Sequence, residues 1–133
     1  ARPDESKIDA EEAKKFQGDW KVTYVVMEGR KIAPDDLAKL NMAISIDGNT
    51  IKVKGLGAEQ TSTVVRLDPK KTPKEMDSVD NDGPSKGKVE FAVYEFVGEH
   101  KIKIRFAKPG NPRPKDVQIP QDGSTDSYIE IEN

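Results

Sequence analysis

From Trp20 to Met27 the chain alternates for a full strand length, with Trp20, Val22, Tyr24 and Val26 on one face. The same period of two recurs to the end of the sequence. Met42, Ile44 and Ile46 repeat it, Asp47, Gly48 and Asn49 make a turn, and Ile51 with Val53 completes a hairpin. Thr61, Thr63, Val65 and Leu67 share the next face, and Glu75 to Val79 is a short strand inside a turn-rich stretch from Asp68 to Lys88. Val89 to Val97 is apolar on both faces apart from Glu90 and Glu95. Ile102, Ile104 and Phe106 then alternate with Lys101, Lys103 and Arg105, and Tyr128 to Glu132 closes the series with Ile129 and Ile131 pointing one way.

Helical patterning is confined to two short pieces. Asp9, with Glu12 three places later, acids first and Lys14 and Lys15 last, predicts a helix over about 9–17 that Gly18 ends. Pro34, Asp35 and Asp36 ahead of Leu37 to Leu40 predict a second helix of one or two turns. About eight short strands joined by tight turns imply antiparallel up-and-down pairing. A sheet with one apolar face and no long helix to cover it buries that face by rolling into a closed barrel, which also removes its edges. The predicted fold is therefore all-β, an eight-stranded antiparallel up-and-down barrel with a short N-terminal helix. At this strand number the interior is filled by side chains or holds one small ligand.

Length and composition fit one such unit. A chain of 133 residues is too short for two independent cores, and residues 1–8 read as a flexible leader ahead of a barrel domain over 9–133. Its 24 acids against 22 bases give a net charge of −2, so no overall field favours nucleic acid. The absence of cysteine removes disulfides, thiolate nucleophiles and Cys-based zinc sites. No apolar run reaches the roughly 18 residues that a membrane-spanning helix needs. The polar lead ARPDESK has the character of an end left by signal-peptide removal, and the expectation is a secreted or periplasmic monomer.

Beyond the strand pattern the chain carries FQGDWKV, EGRKIAPDDLAKL, LDPKKTPKEMDSV, DGPSKGK, YEF and IRFAKPGNPRP in that order. Gly-x-Trp at the first strand of an eight-stranded barrel resembles the lipocalin signature. The whole series resembles a family of small lipocalin-like domains best known from planctomycete bacteria. The likeness rests on Gln17, Gly18, Trp20, Leu67, Pro69 and Pro73, then Gly83, Pro84, Lys86, Gly87 and Lys88, then Tyr94, Ala107, Pro109, Gly110, Arg113 and Pro114, and spans about residues 15–132. It implies a lipocalin-like barrel. The family's function is largely unknown; its members occur as secreted-type single domains and as modules of longer chains. Two positions depart from its pattern: Arg105 stands where a cysteine is frequent, and Lys115, Asp116 and Val117 stand where an aromatic usually follows Arg-Pro.

Trp20, at the start of the first strand, is expected to plug one end of the barrel, with Gly18 letting the preceding helix approach without a side chain in the way. Candidate ligand-lining residues are Trp20, Val22, Tyr24, Ile44, Leu67, Tyr94 and Phe106. The hydroxyls of Tyr24, Tyr94, Thr61 and Thr63 are candidates for orienting a bound molecule. His100, the sole histidine, falls in a tight turn with no second His or Cys to complete a metal site, and reads as an exposed turn residue. Asp77, Asp80, Asn81 and Asp82 before Gly83 look superficially like a calcium loop but lack the spacing and the flanking helices, so a solvated turn is expected. Lys101, Lys103 and Arg105 read as an outer, solvated face.

No nucleophile motif accompanies the serines, and one histidine without cysteine leaves few options for a base or nucleophile. The expectation is a protein that is not an enzyme, has no cofactor and no metal, and holds a small apolar or amphipathic ligand in the barrel. The alternative is a protein-interaction or protease-inhibitor-like module acting through the leader and the loops at 68–88 and 108–124.

Overall fold

Asp9 caps the first helix, α1 (Ala10–Phe16), its carboxylate accepting the Glu12 N–H at 2.9 Å, with Glu11 and Glu12 in the first turn and Lys14 and Lys15 in the last. The structure, a computed structural model, describes residues 8–55 and 59–133. Residues 1–7 of the predicted leader lie outside the described residues. Ile8 belongs to the barrel, since it bridges to Leu67 and packs half-buried against the core.

Among the described residues nine strands follow: β1 (Gly18–Met27), β2 (Arg30–Lys31), β3 (Ala43–Asp47), β4 (Thr50–Lys54), β5 (Gln60–Asp68), β6 (Lys74–Asp80), β7 (Val89–Val97), β8 (Lys101–Phe106) and β9 (Ser127–Glu132). All neighbours pair antiparallel, and β9 returns to β1, so eight strands close into the expected barrel. The ninth, β2, is a two-residue strip folded back on β1 after the Glu28–Gly29 turn, which a run that short does not announce in sequence. The second helix, α2 (Pro34–Leu40), starts on its proline as predicted and ends with Asn41 in the left-handed conformation.

Two bulges decide which side chains face inward. The register between β1 and β9 shifts between Val22 and Tyr24, so Trp20, Val22 and then Val25 enter the core while Tyr24 turns outward. A second shift between Val64 and Arg66, where β5 meets β6, sends Ser62, Val64 and then Leu67 inward. The alternation read over Trp20 to Val26 and over Thr61 to Leu67 therefore holds on only one side of each bulge. Val26 is buried but on the outer face, opposite Tyr128.

Gly18 also acts differently from expectation. A Cβ built there meets no atom within 4 Å, so the position needs glycine for its φ of +115° and not for close packing of the helix. Close packing applies at Gly29, where a Cβ would run into the Ser124 carbonyl and where the N–H donates to the Asp126 carbonyl at 3.0 Å.

The Pro- and Gly-rich stretch from Ala107 to Asp126 lies along the outside of the barrel and is riveted there by two arginines. Arg113 donates to the carbonyls of Met76 and Ala92 at 3.2 and 2.9 Å, pairs with Asp77 and stacks on the Phe91 ring. Arg105 pairs with Asp116 and Asp126 at 2.9 Å each.

Candidate functional site

One end of the barrel is sealed by α1. Phe16 drops its ring against Tyr94 and Phe96, 5.1 Å between centroids in each case, and Trp20, 2% exposed, donates its indole N–H to the Phe16 carbonyl at 2.8 Å. That bond fastens the last turn of the helix to the first strand, so the tryptophan closes this end as expected. Glu12 points down from the helix and accepts from the Tyr94 hydroxyl at 2.7 Å, with Lys15 and Lys74 at 3.1 and 3.3 Å. The void left beneath α1, which Leu67 borders, is only about 20 Å³. Roughly one water fills such a space.

The remaining interior contains a larger cavity of about 120 Å³. Most of its wall is aliphatic or aromatic, and Ile44 and Phe106 of the predicted set are in it. Three polar side chains enter it from one side: Ser62 on β5, Ser78 on β6 and Glu90 on β7. Register explains the grouping, because Ser62 is opposite Asp80 and Ser78 is opposite Glu90, which places two hydroxyls and two carboxyls on adjacent inward positions. Burial, and then the charge and hydrogen bond of Asp80, push the Glu90 carboxyl up to about 8. Burial also raises Asp80, with the hydrogen bond to Glu90 opposing that rise. Repulsion from the neighbouring Asp80 carboxyl in a poor solvent thus adds to burial in favouring the protonated form of Glu90.

The proton linkage has a definite sign. Glu90 binds its proton more tightly folded than unfolded, so the fold loses stability as pH rises from the ordinary carboxylate value of 4.5 through about 8. Glu90→Gln removes the group and should flatten that decline. The expected result at pH 9 is a melting temperature higher by about 3–8 °C, on the order of 1–2 kcal/mol, and little change at pH 5. Scanning calorimetry of both proteins at the two pH values checks it; a variant less stable at pH 9 contradicts the assignment.

The other sequence candidates are dispersed. Val22 is buried in the core without bordering the cavity, and Tyr94 is committed to Glu12. Tyr24 lies outside, its ring edge-on to Tyr128 at 5.8 Å with Lys31 over its face. Thr61 and Thr63 do not reach the interior either: their hydroxyls bond Asp82 and Asn81 at the β6–β7 turn. That uses up two residues of the calcium-like run, and Asp77 is taken by Arg66 and Arg113, so no metal-binding group forms among the described residues. His100 is exposed, with Nδ1 3.0 Å from the Asn133 side-chain oxygen. Lys101 pairs with Glu130 at 2.8 Å on the outer face.

Ser62, Ser78, Asp80 and Glu90 are absent from the ligand-lining set that the strand pattern predicts. Glu90 alone leaves a signal, as the acid two places before Ala92, Tyr94 and Phe96 on what becomes the inward face.

The chain matches no known family model, no curated protein and no solved structure. Among the described residues no helix is long and apolar enough to cross a membrane.

Proposed function

We propose that this chain is a non-catalytic binding protein whose barrel holds one very small molecule, apolar over most of its length with a single polar end. The observation that carries the reading is the cavity of about 120 Å³, with an apolar wall and polar groups gathered on one side. Size selects the ligand class. Pockets for drug-sized ligands run to about 300–1,000 Å³, whereas a dry cavity of about 150 Å³ takes a benzene molecule. The fitting ligand therefore has roughly five or six non-hydrogen atoms, far fewer than a fatty acid. Burial of the apolar part supplies the affinity and the Ser62, Ser78 and Glu90 side chains orient the polar end. No chemical step is needed: His100 is in the β7–β8 turn, away from the serines of the cavity.

At about −1 kcal/mol per atom, a five-atom ligand binds with a dissociation constant of order 0.1–1 mM. The test is an NMR titration with 1-butanol, following the methyl resonances of Ile44, Ala92 and Ile104. Saturating shifts confined to these residues are expected, and Ala92→Leu, which fills the cavity, should abolish them. Shifts that fail to saturate, or that survive Ala92→Leu in a folded protein, refute an interior site.

A further inference from the structure

The void beneath α1 and the larger cavity are neighbours along the barrel. Four side chains border both: Phe16, Ile46, Ile51 and Met76. Three of them are fixed. Ile46 and Ile51 face each other in the β3–β4 pair and are β-branched, so each has little freedom about χ1. The Phe16 ring is held at 5.1 Å by Tyr94 and by Phe96. Met76 is the exception, an unbranched thioether with three rotatable bonds, and it is 4% exposed. Its register puts it on the boundary. On β5 it is opposite Leu67, which borders the void and not the cavity; on β7 it is opposite Ala92, which borders the cavity and not the void.

We propose that Met76 is the partition that sets how long a ligand the barrel accepts: the polar end sits at Ser78 and Glu90, and the tail runs toward α1 until the Met76 side chain stops it short of the void beyond. This rests on the small-ligand reading above and specifies the residue that bounds the ligand. Ser78 lies two residues beyond Met76 on β6, and Glu90 lies two residues before Ala92 on β7, about 7 Å along the strands. Such a run suits a chain of about five non-hydrogen atoms.

The partition acts through its side chain alone. Arg113, on the outer strap, donates to the backbone carbonyls of Met76 and Ala92 at 3.2 and 2.9 Å, so both strands are held at this level when the Met76 side chain is cut back. Met76→Ala therefore joins the two spaces, with Ile8, Ala13, Val64 and Leu67 as the new far wall. Each further methylene that enters this apolar extension should tighten binding about fourfold. Ala13, on α1, borders the void and not the cavity, so Ala13→Leu refills the extension without touching the seat of the polar end.

The experiment titrates straight-chain alcohols, 1-propanol to 1-heptanol, into the unmodified protein, Met76→Ala and the double variant Met76→Ala with Ala13→Leu, followed by NMR. In the unmodified protein affinity should rise as far as 1-pentanol and gain less than about twofold beyond it. In Met76→Ala the rise should continue, so that 1-heptanol binds about fifteenfold tighter than 1-pentanol, and the double variant should return the limit to 1-pentanol. One measurement needs no variant to fold: in the unmodified protein, nuclear Overhauser effects from the terminal methyl of 1-pentanol should reach the Met76 ε-methyl and not the Ala13 methyl. The partition is overturned if affinity climbs to 1-heptanol in the unmodified protein, if Met76→Ala leaves the limit where it was, if Ala13→Leu fails to shorten it, or if the terminal methyl contacts Ala13. A saturable interior site for 1-butanol keeps the small-ligand reading standing in each of those cases. Saturable binding by none of the alcohols ends both.

Discussion

Trp20→Ala is expected to lower the stability of this barrel by about 3–5 kcal/mol, the range found for large aromatics deleted from cores. For a domain whose total stability is of order 5–15 kcal/mol, that is a large fraction, and the variant should be partly unfolded at 37 °C. Two losses combine. The indole vacates a site where it is 2% exposed, and the bond from its N–H to the Phe16 carbonyl at 2.8 Å disappears, freeing the end of α1. Trp20→Phe separates them, because it keeps most of the apolar volume and removes only the donor; its cost should be about 1–2 kcal/mol. Urea unfolding monitored by far-UV dichroism measures both. If Trp20→Ala costs less than Trp20→Phe, or under about 1 kcal/mol, the indole does not hold α1 on the barrel.

Glu12 carries the second large effect, because it places a carboxylate under the helix in a nearly enclosed position. Burial raises its carboxyl, and the bonds from Tyr94, Lys15 and Lys74 outweigh that, leaving the group below its ordinary value of 4.5. Glu12→Ala strands the Tyr94 hydroxyl inside the barrel end and should cost about 2–4 kcal/mol. The lysines contribute less, since their ammonium groups are partly solvated and such pairs are worth about 1 kcal/mol or below. In the double-mutant cycle Tyr94→Phe should recover part of that cost, with a coupling of about 1–2 kcal/mol.

The pH dependence follows from the direction of the Glu12 shift. A carboxyl depressed on folding contributes its full stability above pH 4.5 and loses it as pH falls through the folded value. The unmodified protein should therefore weaken in acid more steeply than Glu12→Gln does. Parallel stability profiles for the two between pH 7 and pH 3 would count against a charged Glu12 as the latch. Glu90 runs the opposite way, losing stability toward alkaline pH, so the two carboxyls bracket a range of best stability between them.

Period-two patterning carries the strands, their antiparallel order, both helices and closure into eight. What it does not carry is the pair of bulges. An extra residue between Val22 and Tyr24, or between Val64 and Arg66, is defined by the partner strand and not by the run itself. Across each bulge the inward set shifts by one, which is why plain alternation puts Tyr24 in the interior and favours Thr61 and Thr63 over Ser62. The polar patch is half legible. Glu90 interrupts an otherwise apolar face, and an acid so placed in a strand pattern is a buried one. Ser78 falls in the short strand read over Glu75 to Val79 and Asp80 just beyond it, inside a stretch dense in Pro, Gly, Asp and Lys, and only pairing with β5 and β7 settles which of these side chains share a face with Ser62 and Glu90.

The seam between β1 and β9 joins residues more than a hundred positions apart, Lys21 to Glu132 at one end and Val26 to Tyr128 at the other. During synthesis the first strand therefore waits, one flank unpaired, until β9 has been made. A nascent chain in that interval presents two ragged borders, one on β1 and one on β8, each a template for intermolecular zippering. Loop closure over that span is entropically costly and makes sealing a late event in folding. The outer strap held by Arg105 and Arg113 shortens the effective tether before that event, because it anchors the chain to β6, β7 and β8 a few residues ahead of the closing strand.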